Sequence, residues 1–480
     1  MRILKSSLLL VSLICLANEA ICNLAGTAAG VDIGIVDQVK KIGMPIIQQQ
    51  LNDFKVGKIN FKGGDVDNMD LKFSFNNPDS IKVAFSGASN AINVQANDIS
   101  GEITGRFHYK LLFIHASGKF KVKMNNDAVK LSMNVPLVSQ TIDGRNIPAI
   151  GINDFDLHID SSKIHITLSG SFIADIADAF VDIFKKLIIK EINKAINSAV
   201  PKLVISSINK IFKDTNGRAK VYKDMQFDFT FVSNPVISDS NLALYLNATL
   251  YDSVNGYKIP AIPLSDVQIL NPSTNSVELS VSHFTADSLF IALQEQNLFQ
   301  YYLDASKSGK LSSMLTTTYL EGLLPGIEAK YGKDVPVSVD FKSSSAPRAL
   351  FQKDDFGLIA DLDLTFIVQN QTAIIVSLKD FQSTVIVALQ GQNLSVQIQQ
   401  CQINDVSASQ SQIGYFSAYD FKLFFNVASR IAVPIINNMF LENPFVLPST
   451  ILGMIHIDDA KFQSFDNYLA VNVSPQFITA

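Results

Sequence analysis

The stretch from Ser171 to Lys213 constrains the fold more than any other part of this sequence. Its apolar residues recur at spacings of three and four, which is the pattern of one stripe along an α-helix. Lysines and a glutamate occupy the opposite side, and Pro201 is expected to kink the helix or to divide it. The stripe needs an apolar partner, either a strongly curved antiparallel sheet or a lipid held between helix and sheet. Its residues are Ile173, Ala177, Phe180, Phe184, Leu187, Ile188, Ile192, Ala195 and Ala199.

Two further segments have the same helical pattern. The first runs from Val31 to Phe54, with Ile35, Val39, Ile42 and Ile46 on one face. The second runs from Ala418 to Leu441 and contains Pro434 as the first long helix contains Pro201. Its stripe consists of Phe421, Phe424, Phe425, Ala428, Ala432, Ile435, Ile436 and Met439.

Most of the remaining chain alternates between apolar and polar residues, which is typical of half-buried antiparallel strands. In the segment from Gly118 to Met124, the residues Lys119, Lys121 and Lys123 mark a wet face. A hairpin is predicted from Phe155 to Ser169 around Ser161 and Ser162. We therefore predict an α+β fold with two tandem curved antiparallel sheets, each packed with long amphipathic helices.

A chain of 480 residues is expected to form two or three domains, and its charge distribution suggests two. Residues 23–225 contain 25 Lys and Arg against 20 Asp and Glu, whereas residues 226–480 contain 12 against 23. A basic half and an acidic half suggest different partners, although chance variation on solvated faces explains the contrast equally well. We predict a signal peptide at 1–22, an N-terminal domain at 23–235 and a C-terminal domain at 236–480, with a central sheet shared around 226–280.

The start of the chain indicates export. Arg2 and Lys5 precede an apolar run from Leu8 to Leu16, and the run is too short to span a bilayer. We expect a secreted, soluble, monomeric protein that begins near Asn23. The mature chain then holds one cysteine, Cys401, which is expected to be a buried structural thiol. Four glycosylation sequons fit the same compartment, at Asn247, Asn370, Asn393 and Asn472.

Catalytic and metal-binding motifs find little support. The sequence has no G-x-S-x-G, H-E-x-x-H, glycine-rich phosphate loop or C-x-x-C. His158 and His165 would face each other across the predicted hairpin beside Asp156 and Asp160, which is a conceivable zinc set, but a solvated strand face explains them as well. Asp65, Asp67 and Asp70 lack the glycine and glutamate of a calcium loop and are interpreted as surface charges. We expect no enzyme, no cofactor, no metal and no nucleic-acid partner. A lipid hydrolase with scattered catalytic residues and a purely structural glycoprotein are the remaining alternatives.

The order of several local strings resembles the family of bactericidal/permeability-increasing protein, lipopolysaccharide-binding protein and the plasma lipid-transfer proteins. The strings are GIVDQVKKIGMPIIQQQL, NVQANDISGEITGRFHYK, SGKFKVKM, VSHFTADSLFIALQEQNLF and SRIAVPIINNMF followed by PFVLPS. The resemblance covers nearly the whole mature chain. It implies a boomerang of two lipid-binding barrels joined by a central β-sheet, with an apolar pocket for acyl chains in each barrel.

The residue pattern and the resemblance together indicate lipid-binding residues on the helix faces: Ile35, Val39, Ile42, Ile46, Ala177, Phe180, Phe184, Ile188, Phe421, Phe425, Ala428, Ala432 and Ile436. For each residue taken singly, ordinary core packing is the competing interpretation. The expected function is to hold phospholipid or lipid A acyl chains and to transfer lipid between surfaces, with a membrane or lipid particle as partner.

The alternative function is recognition of lipopolysaccharide in antibacterial defence. The resemblance implies a basic tip on the N-terminal barrel, for which this chain offers Lys55, Lys58, Lys62, Arg106 and Lys110. Asp65, Asp67 and Asp70 dilute that charge. The family's usual N-terminal disulfide cannot form, because the N-terminal half of the mature chain has no cysteine pair.

Overall fold

The computed structural model describes residues 24–111, 114–171, 174–222, 224–269, 271–307, 309–442, 445–446, 455–457 and 459–477. Within these ranges antiparallel strands alternate with a few long helices, as the α+β prediction requires. The predicted signal peptide lies outside the described residues. The helices are α1 (Ile33–Asp53), α2 (Ala174–Ile183), α3 (Ile189–Thr215), α4 (His283–Glu295), α5 (Thr317–Leu320), α6 (Ile327–Tyr331) and α7 (Ala418–Glu442).

Thirty strands are assigned within the described ranges. Those that precede α3 are β1 (Leu24–Ala25), β2 (Thr27–Val31), β3 (Ile59–Phe61), β4 (Gly64–Phe75), β5 (Lys82–Ser86), β6 (Ala91–Leu111), β7 (Ile114–Val135), β8 (Leu137–Ile142), β9 (Arg145–Ile150), β10 (Asn153–Ile159) and β11 (Ile164–Ser171). Between α3 and α7 lie β12 (Arg218–Tyr222), β13 (Met225–Asp228), β14 (Val236–Ile237), β15 (Leu242–Leu246), β16 (Leu250–Asp252), β17 (Ser265–Asp266), β18 (Val277–Ser282), β19 (Gln300–Leu303), β20 (Val337–Ser343), β21 (Arg348–Gln352), β22 (Asp355–Val368), β23 (Gln371–Gln390), β24 (Asn393–Gln402) and β25 (Asp405–Ser409). The last strands are β26 (Phe445–Val446), β27 (Ile455–His456), β28 (Asp459–Phe465), β29 (Tyr468–Val473) and β30 (Gln476–Phe477).

The N-terminal half is built on a seven-stranded antiparallel sheet whose two longest strands, β6 and β7, pair along most of their length. One side of β6 pairs with β5 and then with β4. One side of β7 pairs with β10 and then with β11. Two long strands with shorter partners placed end to end give the sheet its length.

The predicted hairpin around Ser161 and Ser162 is wrong, because β10 and β11 both pair with β7 and not with each other. His158 lies opposite Lys130 and His165 lies opposite Lys123. The turn is set by Asp160, whose carboxylate accepts a hydrogen bond from the Ser162 backbone N–H at 2.9 Å, and the chain then continues along β7. The two histidines therefore do not face each other, and the conceived zinc set is not formed.

A fourteen-stranded sheet continues from the middle of the molecule into the C-terminal half. Its order begins β14-β15-β2-β18-β29-β28-β23-β22. Strand β2, near the start of the described chain, therefore lies between β15 and β18, while β29, near its end, is the next strand after β18. The fourteen-stranded sheet thus includes strands from both ends of the described chain, and β12, β13 and β16 form a separate three-stranded sheet.

The buried line along α2 and α3 keeps a strict spacing of four residues. Phe180, Phe184, Ile188, Ile192, Ile196, Val200 and Val204 are each at most 1% exposed. On an ideal α-helix a step of four residues turns the line by about 40°, so six steps would turn it by about 240°. A π-helical turn at Phe184–Ile188 has more residues per turn and absorbs part of this drift. The remaining drift lets the helix follow the twist of the sheet.

The long helix changes from α to π geometry at Phe184–Ile188. Pro201 lies inside α3, which is continuous from Ile189 to Thr215, so the predicted division there is wrong. Pro434 likewise lies inside α7. Leu187, which the sequence placed on the apolar stripe, lies in the π turn and is 36% exposed.

Asparagine side chains join the long helices to strand backbones in both halves. Asn52 of α1, Asn209 of α3 and Asn437 of α7 each accept a hydrogen bond from a backbone N–H and donate one to the C=O of the same strand residue. Their partners are Phe73, Ile150 and Ile398. A strand residue that lies beside a helix lacks a strand partner for its backbone N–H and C=O. The asparagine amide supplies a hydrogen-bond partner for both groups.

Candidate lipid-binding site

The stripe predicted on α1 is only partly the buried face of that helix. Ile35 is buried in the N-terminal core, Ile42 and Ile46 are half-buried, and Val39 is 41% exposed. The inward line of α1 runs through Lys40, Met44, Ile47 and Leu51, and lipid contact by the exposed Val39 stays a prediction. Lys40 is accommodated because its ammonium donates to Asp37 Oδ1 at 2.6 Å and to the Ile81 carbonyl at 2.8 Å.

Phe180 and Phe184 are packed against side chains of the sheet. The ring centroids of Phe107 and Phe180 are 4.6 Å apart, and those of Phe120 and Phe184 are 4.9 Å apart. Ile188 belongs to the same core. These three residues therefore contact protein, and their role in lipid binding stays a prediction.

An open groove runs beside α1 on the side where that helix meets the end of β4 and the 3-10 turn at Pro78–Ser80. Its volume is about 640 Å³, which lies within the range of small-molecule sites. Met44, Pro45, Phe75, Pro78 and Ile81 supply its apolar lining. The polar lining consists of Lys41, Gln48, Gln49, Asn52, Asp53 and Asp79.

The groove has an apolar floor and a polar rim, which suits an amphiphilic ligand. Gln48 and Asn52 are held in place because they accept hydrogen bonds from the backbone N–H groups of Phe75 and Phe73, at 3.2 and 2.6 Å. Sequence reasoning selected the helix but missed Met44 and Phe75. Met44 lies on the buried line of α1, and Phe75 comes from the end of β4, so apolar spacing within the helix could not have identified Phe75.

In the C-terminal half, Phe421 is buried and Phe425 is half-buried, and their rings stack with centroids 6.4 Å apart. Phe421 also contacts Phe416, at 5.6 Å between centroids. Side chains of Ala177, Ala428, Ala432 and Ile436 lie outside the described residues. Lipid contact by this second group stays a prediction.

Two of the five predicted tip cations are paired with aspartates. Lys55 Nζ lies 2.5 Å from Asp70 Oδ1, and Lys58 Nζ lies 2.9 Å from Asp65 Oδ2. These hydrogen bonds from lysine lower the pKa of both carboxyl groups, and His108 adds to the effect at Asp65. Within the described part of the chain, Lys62, Arg106 and Lys110 make no ion pair. The available positive charge is therefore smaller than the sequence count implied.

A cationic cleft of about 520 Å³ lies on the outer face of the N-terminal sheet. Arg106 pairs directly across the strands with Lys119, and Lys119 pairs in turn with Ser169. Lys121 lies in the next outward-facing row and is joined to Glu102 at 2.6 Å. The other lining residues are Asn68, Thr104, Gly105, Phe120 and Thr167.

Guanidinium, ammonium and hydroxyl groups converge in this cationic cleft, which is the donor set that binds phosphate. Sequence reasoning named Arg106 but assigned the alternating lysines only to a wet face. Register was the missing information, because only strand pairing brings Arg106 beside Lys119.

The four sequons differ in their surroundings. Asn370 and Asn393 are exposed next to hairpin turns, before β23 and at the start of β24. Asn247 is half-buried and accepts a hydrogen bond from the Thr249 hydroxyl at 2.5 Å. Asn472 is half-buried and donates to Glu278. Glycosylation at each site stays a prediction.

Across the described residues, none of the helices has both the length and the apolar character needed to cross a bilayer.

A family model for the C-terminal domain of the LBP/BPI/CETP family matches residues 219–477. The chain belongs to the LBP/BPI/CETP family. The predicted family is thereby confirmed.

Relatives of this LBP/BPI/CETP-family chain include one that matches over most of its length. The bactericidal permeability-increasing protein of Sebastes schlegelii is 21% identical over 468 residues, which cover 94% of each chain. Protein TENP of Gallus gallus is 25% identical over 137 residues, covering 28% of this chain and 29% of that protein.

The fold also resembles a solved structure. The crystal structure of lipopolysaccharide binding protein matches with a TM-score of 0.52 at 15% identity, covering 95% of this chain and 100% of that one. At 15% identity this match is evidence for the fold alone. The predicted α+β fold with two curved antiparallel units joined by a central sheet is confirmed.

Proposed function

We propose that this family member is a secreted, non-enzymatic protein that binds phospholipid or the acyl chains of lipid A. The observation that carries the proposal is the groove beside α1, where Met44, Phe75 and Ile81 form an apolar floor under a rim of amides and charges. Each methylene buried there contributes about 0.8 kcal/mol, so a chain of a dozen carbons offsets a large part of the entropy lost on capture.

The polar rim supports a ligand that has a polar, hydrated group at one end. An acyl chain on the apolar floor leaves its ester and headgroup beside Gln48, Gln49 and Lys41, where hydrogen bonds are available. Family membership supports the same class of ligand. Transfer of lipid between surfaces, as opposed to holding it, belongs to the proposal as well.

The test is identification of lipid that copurifies with the secreted protein, by native mass spectrometry and organic extraction. Gln49 is exposed and lines the groove, so Gln49→Trp should fill it without disturbing the core and should lower bound lipid at least fivefold. Gln38→Trp, on the same helix but outside the groove, is the matched control. Wild-type protein that carries no lipid and ignores phospholipid vesicles would refute the proposal.

Secretion rests on the apolar run near the start and on the sequons. We expect the N-terminus of protein recovered from culture medium to lie near Asn23. Recovery of the protein only inside cells, with Met1 retained, would refute this part.

Recognition of lipopolysaccharide is the second candidate function, and the cationic cleft at Arg106 and Lys119 favours it. Anionic phosphates of a lipid headgroup fit the cleft in charge and in hydrogen-bonding groups. The relatives named for bactericidal activity and for lipopolysaccharide binding support the candidate.

Binding to lipopolysaccharide and to anionic vesicles should weaken with added salt, since exposed charges are screened within about 10 Å at 0.1 M. Arg106→Glu with Lys119→Glu is expected to lower affinity at least tenfold. Lys330→Glu with Lys353→Glu changes the charge equally at exposed positions of the C-terminal half and is the control. Affinity that is independent of salt and of the cleft variants would contradict this function.

A further inference from the structure

Asp65, Asp67 and His108 form a compact cluster outside the groove and the cationic cleft. The two aspartates are two residues apart on β4 and therefore share a face of the strand, and His108 on β6 lies directly opposite Asp65. This face points outward, because Val66 and Phe107 between them point into the core. One ligand atom from each of the three side chains lies within 4.8 Å of the other two.

Asp67 contributes an oxygen that lacks a partner. Its Oδ1 atom is shielded from solvent and has no hydrogen-bond partner among the described residues. Arg106 is opposite Asp67 in the strand register, yet no ion pair joins them in this part of the chain. A shielded carboxylate oxygen without a partner is costly, and a bound cation would satisfy it.

Lys58 is the competitor for this position. Its ammonium lies 2.9 Å from Asp65 Oδ2, while His108 Nδ1 lies 3.1 Å from Asp65 Oδ1. A cation that binds Asp65 must displace the Lys58 ammonium or share the Asp65 carboxylate with it. The lysine side chain is half exposed and on a flexible stem, so it can swing into solvent.

A pocket of about 550 Å³ opens on one side of the cluster and is lined by Asp65, His108 and His115. It leaves room for water to complete the coordination of an ion held by three protein ligands. Imidazole together with carboxylate suits zinc or manganese better than magnesium or calcium, which prefer oxygen alone. We propose that Asp65, Asp67 and His108 form a zinc-binding site on the outer face of the N-terminal sheet. The site does not depend on the proposed lipid function.

The experiment is titration of untagged, metal-free protein with Zn²⁺ by calorimetry and by competition with a chromophoric chelator. Asp67→Asn and His108→Ala are each expected to weaken Zn²⁺ binding at least tenfold. Lys58→Met should strengthen it about threefold or more, because it removes the competing charge. Millimolar Mg²⁺ should not displace the bound zinc.

Matched controls lie on the same sheet. Asp70→Asn and His165→Ala remove an exposed carboxylate and an exposed imidazole outside the cluster and should leave the affinity unchanged. His108 is exposed, so its variant should melt at the wild-type temperature in the absence of metal. The assignment would be overturned if the wild-type protein bound no Zn²⁺ or if Mg²⁺ displaced the bound zinc. It would also be overturned if Asp67→Asn and His108→Ala bound Zn²⁺ as tightly as the wild type does.

Discussion

At the scale of single residues, Cys401 on β24 has a chemistry that follows from its surroundings. Burial raises the pKa of its thiol to about 11. At pH 8 roughly one thiol in a thousand is then ionised, and only the thiolate is a nucleophile. The sequence-based expectation of a structural thiol therefore has a physical basis, although the side chain is half-buried and not fully enclosed.

We expect Cys401 to react slowly with a disulfide reagent in the native protein at pH 8, and to react fast in denaturant. The native rate should rise about tenfold per pH unit up to the raised pKa. The measurement is a time course, at several pH values, of the thiol that the reagent releases when it reacts with Cys401. Fast native labelling at pH 8 would show that the thiol is not desolvated.

Arg145 and Asp228 form a second residue-scale feature, a buried ion pair that links β9 to β13. Arg145 Nη2 lies 3.1 Å from Asp228 Oδ1, and the Asp228 side chain is 2% exposed. The two groups form an ion pair, but the N–H of Nη2 does not point at the carboxylate well enough for a hydrogen bond. Asp228 also accepts hydrogen bonds from Thr230 Oγ1 and from the Tyr257 hydroxyl. Burial raises the pKa of Tyr257 to about 12, so it remains a donor at neutral pH.

Arg145→Ala should lower the free energy of unfolding by about 3–5 kcal/mol, because it leaves the Asp228 carboxylate buried without its counterion. Denaturant titration measures the change. Arg348→Ala breaks an exposed pair with Asp380 and should cost at most about 1 kcal/mol. Addition of Asp228→Asn to Arg145→Ala should recover part of the loss. Equal effects of the two arginine variants would contradict the buried-pair interpretation.

At the scale of elements, the asparagines that join helices to strands recur in both halves. Asn209 accepts from the Ile150 N–H at 2.8 Å and donates to its C=O at 3.0 Å. Asn437 makes the same pair of bonds to Ile398, both at 2.8 Å. The two tandem units predicted from the sequence therefore attach a long helix to a strand in the same way.

Asn209→Ala should cost about 1–3 kcal/mol of stability, because two backbone groups of Ile150 lose their partner. Thermal melting followed by circular dichroism is the measurement. Ser206→Ala, one turn earlier on the exposed side of α3, is the control and should change stability by at most about 0.5 kcal/mol. A melting temperature unchanged by Asn209→Ala would show that water replaces the amide.

Other features of the elements were only partly accessible from sequence. Spacings of three and four located α3 and α7, but the line that packs on the sheet follows every fourth residue from Phe180 to Val204. A π turn cannot be inferred from apolar spacing, because it depends on the contact with a twisted sheet. Pro201 suggested a break, yet tertiary packing holds α3 continuous through it.

At the scale of the whole molecule, the ends of the described chain meet in one sheet. Strands β2 and β29 flank β18, and β28 then connects this part of the sheet to β23. The predicted division at residues 235 and 236 stays a prediction. In the sheet order, however, β2, which precedes that position, lies between β15 and β18, which follow it.

Deletion of residues 459–480 should therefore unfold more than the C-terminal half, because it exposes the edges of β18 and β23. We expect loss of the cooperative melt and aggregation on size-exclusion chromatography. A chain that ends after Phe477 keeps every described strand and should behave as wild type. A monomeric, cooperatively melting product of the larger deletion would contradict this reading of the sheet.

Apolar periodicity by itself determined the α+β class, the long helices and most of the strands of this protein, because burial of one face is written into residue spacing. It could not determine strand pairing, since a two-residue period is the same whichever strand lies beside it. Pairing placed Arg106 beside Lys119, carried β10 and β11 along β7, and brought Asp65 opposite His108. Those neighbours are distant in sequence, and only the folded sheet creates their shared chemistry.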